Sequence, residues 1–201
     1  MGRTKSSCTQ CRREKEKLFL KGDRCVSPKC SVEKRKYPPG QHGSATMRLT
    51  EFGRRMREKQ KAKRMYGLNE RQFRNYFERA AKTKASTGQK LMELLERRLD
   101  NVVFRGGFAV SRQAARQLVH HGNVNVNGKK VDVPSFETKI GDVIVLKPKM
   151  LERISERIKE YVAPPWLSLS PEKVASIVRL PKKDDTERLI EESAIVEFYS
   201  R

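Results

Sequence analysis

The 201 residues carry 45 Lys and Arg against 24 Asp and Glu, a formal net charge of +21, with 36% hydrophobic residues. A chain this polar supports only a thin core, and no stretch reaches the roughly 20 apolar residues of a membrane span. The polar start, Met1-Gly2-Arg3-Thr4-Lys5, lacks the apolar region of a secretory signal, so a cytosolic chain with no membrane partner is expected.

The charge is unevenly placed. Residues 1–90 hold 26 Lys and Arg against 8 Asp and Glu, whereas residues 91–201 hold 19 against 16. Such a density of like charge repels itself unless a polyanion neutralises it. Phosphate backbone is the natural partner, with binding that weakens steeply as salt rises.

The first 30 residues contain all four cysteines, Cys8, Cys11, Cys25 and Cys30, in the pattern C-x2-C-x13-C-x4-C. Two close pairs separated by a short loop suit one tetrahedral metal held by four thiolates. Four thiolates on Zn²⁺ leave a formal charge of −2, which Arg12, Arg13, Arg24 and Lys29 offset while favouring the thiolate form. Disulfides need an oxidising compartment, which a cytosolic chain lacks. Zinc is the favoured metal; an iron–sulfur cluster is the alternative, because spacing does not separate the two. His42 reads as a turn residue or an RNA contact rather than a ligand.

Residues 1–47 read as irregular and metal-organised, since Tyr37-Pro38-Pro39-Gly40-Gln41-His42-Gly43 can continue neither a helix nor a central strand. Helices follow. Thr50 is a candidate N-cap, with Phe52, Met56, Ala62, Met65 and Tyr66 as an apolar stripe and Gly67 as the stop. The other faces are cationic, including Arg54 and Lys61. Asn69 with Gln72 three residues on forms a capping box, and Leu68 and Phe73 are placed as a staple. Phe73, Tyr76, Phe77, Ala80 and Ala81 read as a core face. After a break over 84–88, Leu91, Leu94, Leu95, Leu99, Val102 and Val103 read as one helix ending at Gly106-Gly107.

Ser111 caps the next helix, Arg112 to His120, closed by Gly122. Its inward face is Ala115, Leu118 and Val119; Arg112 and Arg116, four apart, share the outward face. Asn127-Gly128 between Val124–Val126 and Lys129–Val133 is a strong hairpin signal. Ile140-Gly141-Asp142 turns into a strand over Val143–Leu146. In the near-neutral remainder, Ile154, Ile158 and Tyr161 mark an amphipathic helix, and Trp166 reads as a core plug. Val174–Leu180 and Ile195–Tyr199 read as strands or packing arms.

At this point the residues become familiar. Glu96-Arg97-Arg98-Leu99-Asp100-Asn101-Val102-Val103, then Gly107-Phe108-Ala109-Val110-Ser111-Arg112-Gln113-Ala114-Ala115-Arg116, then Val126-Asn127-Gly128-Lys129 and Gly141-Asp142 resemble the RNA-binding module named after ribosomal protein S-four. That module alone implies only RNA binding. Tyr37-Pro38-Pro39-Gly40-Gln41-His42-Gly43, Arg71-Gln72-Phe73, Trp166-Leu167-Ser168-Leu169 and the ending Glu197-Phe198-Tyr199-Ser200-Arg201 extend the resemblance over essentially the whole chain, to the bacterial-type S-four ribosomal family in its four-cysteine, zinc-carrying branch.

The resemblance implies an α+β protein in four segments. These are a metal-binding basic arm over 1–47, a basic helical region over 48–96, the S-four-type α/β module over 97–147, and a C-terminal segment over 148–201 that packs back on the body. It implies a structural component of the small ribosomal subunit, in the cytoplasm, that binds the 5′ domain of the small-subunit ribosomal RNA. There it would hold a multi-helix junction and nucleate assembly. It also implies contact with ribosomal protein S-five and with mRNA where it enters the subunit, and a contribution to decoding accuracy. RNA of this kind is recognised through shape, phosphate and 2′-hydroxyl contacts. The RNA-contacting candidates are Arg97, Arg98, Arg112, Arg116, Lys129 and Lys130 in the module, and Arg3, Lys5, Arg12, Arg13, Arg35, Lys36, Arg54 and Lys61 before it. An enzyme and a small-molecule substrate are not expected. The three histidines have no nucleophile partner at a recognisable spacing, there is no P-loop pattern, and four cysteines leave a metal no open position.

Overall fold

A computed structural model describes residues 6–45, 48–159, 161–170, 174–186 and 189–200, without the side chains of 155–159. Arg3 and Lys5, and the side chain of Ile158, fall outside the described residues. The chain forms two compact units. The first comprises residues 1–73 and 189–201, the second residues 74–188. The C-terminal stretch is therefore divided: 148–188 joins the module, and only the last helix returns to the N-terminal residues.

The first unit is helical. Residues 1–47, expected to be irregular, contain three short helices, α1 (Ser7–Glu14), α2 (Asp23–Val26) and α3 (Ser31–Lys34). α1 closes at Lys15, whose backbone is left-handed at φ 59°. α4 (Glu51–Met65) starts where Thr50 Oγ1 accepts the backbone N–H of Gly53 at 3.1 Å. α5 (Glu70–Ala81) begins with the expected reciprocal cap: Asn69 Oδ1 accepts from Gln72 N at 2.8 Å, and Gln72 Oε1 accepts from Asn69 N at 3.2 Å. Leu18, Ala62 and Phe73 are completely buried here.

Ile195–Tyr199 is not a strand. It belongs to α10 (Glu192–Tyr199) and packs on α4. Its β-branched and aromatic residues favour strand locally, but Ile195 is completely buried, and the Phe198 ring stacks on Phe52 at 5.5 Å. Tertiary burial on a helical face overrides a weak local preference.

The second unit places helices against an antiparallel sheet. The leucine-rich stretch is interrupted: α6 (Thr87–Glu96) and α7 (Leu99–Arg105) are separated at Arg98, whose extended backbone (ψ 137°) serves as the N-cap of α7. The break lets 97–100 bond to the 134–138 segment, with Leu99 N donating to Phe136 O and Thr138 N to Arg97 O. α8 (Arg112–His120) starts at the expected cap, Ser111 Oγ accepting from Ala114 N at 3.2 Å.

Five strands follow: β1 (Val124–Val126), β2 (Lys129–Lys130), β3 (Val143–Leu146), β4 (Leu167–Leu169) and β5 (Ala175–Ile177), in the order β2-β1-β3-β5-β4. The β1–β2 hairpin turns on Asn127 and Gly128, both at positive φ (50° and 77°), which matches the right-handed twist of the strands. Val124, Val126, Ile144, Leu146, Ala175 and Ile177 face Leu99, Val102, Val103, Ala115 and Val119, with Trp166 completely buried among them. α9 (Pro148–Lys159) lies between the third and fourth strands in sequence.

Candidate nucleic-acid interface

In the first unit the cations divide into two populations. Arg13, Arg24, Lys29, Arg35, Lys36 and Arg54 are exposed. Lys59 and Lys61, each 5% exposed, are not surface groups. The Lys61 ammonium lies 2.8 Å from Glu58 and 2.9 Å from Glu16, and donates to the Leu189 carbonyl at 3.0 Å. Burial pulls its pKa down, but the hydrogen bonds to Glu58 and Glu16 outweigh that and raise it. The expectation that Lys61 faces RNA is thus corrected: it ties α4 to the returning C-terminal residues.

Lys59 does similar work, 2.5 Å from Glu70 and 4.6 Å above the Phe198 ring. Glu70 also meets Lys63 at 2.8 Å and accepts from the Tyr199 hydroxyl at 3.1 Å. Burial acts to raise the Glu70 pKa, but the bonds from Lys59 and Lys63 prevail and hold it at about 2. Arg12 is half-buried. It donates to the carbonyls of Tyr37 and Pro38 at 3.1 and 3.4 Å and so fixes the Pro-rich turn.

A cleft of about 480 Å³ in this unit is lined by residues of α1, α4 and α10. Its lining balances Arg13, Lys15, Arg54, Arg55, Arg57 and Lys61 against six glutamates, so charge does not mark it as an anion site.

Cys8 and Cys11 lie on α1, Cys25 on α2, and Cys30 at the start of α3, and all four line one cavity of about 20 Å³. Cys11, Cys25 and Cys30 are buried although the surrounding segment is polar. The Lys21 N–H points at Cys25 Sγ at 3.3 Å. Burial pushes the Cys11 thiol up, a hydrogen bond from Leu18 pulls it down, and Cys25, Cys8 and Cys30 raise it further. Among the described residues, no three His, Cys, Asp or Glu side chains are drawn tightly enough together to form a ready ligand group. His42 does not line the cavity.

In the second unit the basic face is built on buried acids. Arg98, 2% exposed, donates to both oxygens of Asp100 at 3.0 and 2.7 Å and to the Tyr76 hydroxyl at 2.9 Å. Desolvation opposes its charge, but Asp100 prevails and its pKa is raised. Arg98, expected on the surface, is therefore an internal strut. Its side chain turns inward because position 98 is the extended residue between two helices.

Arg97 is half-buried between Glu93 and Glu137, at 3.1 and 3.2 Å. Arg112 is only partly outward. Its Nε donates to Asn101 Oδ1 at 2.7 Å and its guanidinium lies 4.6 Å above the Phe104 ring. Arg116 approaches Asp100 at 3.9 Å and is more exposed. Lys129 and Lys130 are exposed on β2. Gly122, just past the end of α8, has φ +63°, a left-handed conformation that favours glycine.

Sequence reasoning missed Arg105. It donates from Nε and Nη2 to the two oxygens of Glu96, both at 3.0 Å. An acid in a leucine-rich stretch, nine residues before an arginine in the next helix, is the signal that could have found it.

A basic helical unit with four convergent thiols, followed by an α/β module with arginines along α7 and α8, is the arrangement against which comparison is decisive. Residues 3–96 match the family described as Ribosomal protein S4/S9 N-terminal domain, and residues 97–144 match the S4 domain. The chain is 52% identical to the small ribosomal subunit protein uS4 of Dictyoglomus turgidum, with 98% of each chain covered. It is equally identical, with the same coverage, to that of Thermodesulfovibrio yellowstonii. The Thermus thermophilus protein of the same name is 51% identical, with 96% of each chain covered. The chain belongs to the uS4 family. Its module, like the family's, begins at Arg97, the residue at which α6 gives way to α7. Among the described residues no helix is long and apolar enough to cross a membrane.

Proposed function

We propose that this protein is a structural, non-enzymatic component of the small ribosomal subunit that binds the subunit's RNA. The observation that carries this reading is the whole-chain likeness to uS4 proteins, joined to exposed cations in both units. Exposed cations on each of the two units suit a folded RNA, because a junction presents phosphates from several helices at once. On this reading the protein holds a multi-helix junction of the 5′ domain and nucleates assembly of the subunit. It neighbours ribosomal protein S-five, and it lies near the place where mRNA enters, where it supports decoding accuracy.

The chemistry of the four thiols supports a metal as their partner. Four soft donors, three of them buried in a polar segment, surround a cavity with room for one small body. Cys8, Cys11, Cys25 and Cys30 would hold one Zn²⁺, which when bound supplies a structural cross-link and no open coordination position. An iron–sulfur cluster is the alternative. One zinc per chain in a colourless protein is expected; iron with visible absorption would reverse the assignment.

The RNA reading is tested by titrating the full chain, at several salt concentrations, against the 5′ domain and a scrambled RNA of equal length. Selective binding that persists at moderate salt is expected. Equal binding that collapses together as salt rises would reduce the protein to a generic polycation.

A further inference from the structure

Glu96 and Asp100 are acids enclosed at the centre of a basic face, 0% and 4% exposed. A carboxylate is costly to bury unless it is paired, and each of these gathers more cation than it needs. Asp100 takes both arms of Arg98, and Arg116 Nη1 stands 3.9 Å from its Oδ2. Glu96 takes both arms of Arg105, and Arg112 Nη2 stands 3.9 Å from its Oε1. Two carboxylates thus organise four guanidinium groups.

Asn101 links the two halves. Its Nδ2 donates to Glu96 Oε2 at 2.7 Å and to the Glu96 carbonyl at 3.0 Å, which turns its Oδ1 toward the Nε–H of Arg112. The Phe104 ring supports the flat face of the same guanidinium at 4.6 Å. An arginine on an open helix face samples many rotamers and loses up to about 2 kcal/mol of entropy when a ligand fixes it. Here the fixing is done on folding, so a phosphate meets forks already oriented.

We propose that Glu96 and Asp100 are positioning residues for RNA recognition. They hold Arg105, Arg112 and Arg116 in a fixed array along α7 and α8 that matches a set arrangement of phosphates rather than diffuse negative charge. The inference rests on the RNA-binding reading and deepens it. It also runs against simple electrostatics, since removing an acid from a polyanion-binding face should strengthen binding.

The test uses full-length Glu96→Gln, which keeps the shape and an acceptor but not the charge, titrated against the 5′ domain and the scrambled RNA over a range of salt. Affinity for the 5′ domain is expected to fall about tenfold, and the slope of log affinity against log salt to drop by about 1. Scrambled RNA should bind no more weakly than before. A folded Glu96→Gln that binds the 5′ domain as tightly as the parent, or more tightly, with the same slope, overturns the inference. Arg112→Lys is the second variant, read alone if Glu96→Gln does not fold. It keeps the charge and loses the fork held by Asn101, so positioning requires a comparable loss and charge alone requires none. Equal binding of both RNAs by the parent protein overturns the RNA reading and the inference with it. Selectivity in the parent with unaltered variants overturns the inference alone.

Discussion

In the first unit, Lys59 and Lys61 occupy buried positions on α4 and are satisfied by glutamates, a carbonyl and aromatic faces. In the second, buried Leu99, Val102, Ile144 and Trp166 form the interior, and charge enters only as the enclosed acids and their arginines. Both units offer a cationic surface, but one is stitched together by ion pairs and a helix from the far end of the chain, whereas the other is built around a larger apolar core. Residues 1–73 carry 21 Lys and Arg against 7 Asp and Glu, and their small core is completed by the aromatic end of α10 and, on our reading, by a metal.

The contrast can be broken from either side. The largest effect is expected in the second unit: Arg98→Ala takes the bidentate partner from buried Asp100, and should cost about 3–5 kcal/mol by denaturant unfolding. Arg116 lies 3.9 Å from Asp100, so retained stability would mean that Arg116 takes over the pairing. Ile195→Ala removes the most buried side chain of α10. A loss of about 2–4 kcal/mol is expected, seen as faster amide exchange in α4 with β1 and β3 unchanged. Equal acceleration in both units would erase the distinction.

Ser111→Ala and Thr50→Ala each delete one helix cap and should cost about 1 kcal/mol, each in its own unit. The smallest effect concerns Glu70, whose carboxyl sits at about 2 against an ordinary 4.5. A depressed acid stabilises the folded state above its unfolded pKa and loses that contribution as pH falls through the folded value. Because Glu70 is 47% exposed, the contribution is about 0.2–1 kcal/mol. Melting curves of the parent and Glu70→Gln should differ at pH 6 and converge near pH 2; a gap that persists at pH 2 would assign it to packing.

Much of the architecture was legible because it is local. The caps at Thr50, Asn69 and Ser111 follow from side chains bonding three residues away, and the hairpin from the positive φ that Asn127 and Gly128 accept. That the four cysteines line one cavity follows from their spacing as two close pairs joined by a short loop. What sequence could not give was long-range. The break before α7 depends on Arg98 meeting Tyr76 and on pairing with 134–138, and the helical state of 192–199 depends on α4. Charge counting was least informative about individual residues. It treats every cation as a surface group, whereas Lys61 and Arg98 are spent inside and Arg112 is partly so.

The most direct test of the contrast is amide hydrogen exchange on the zinc-loaded full chain before and after a strong chelator. Removing the metal should speed exchange in α1 to α3 and in α4 while α7, β1 and β3 keep their protection. Unchanged exchange throughout, or loss of protection in both units together, would contradict the account.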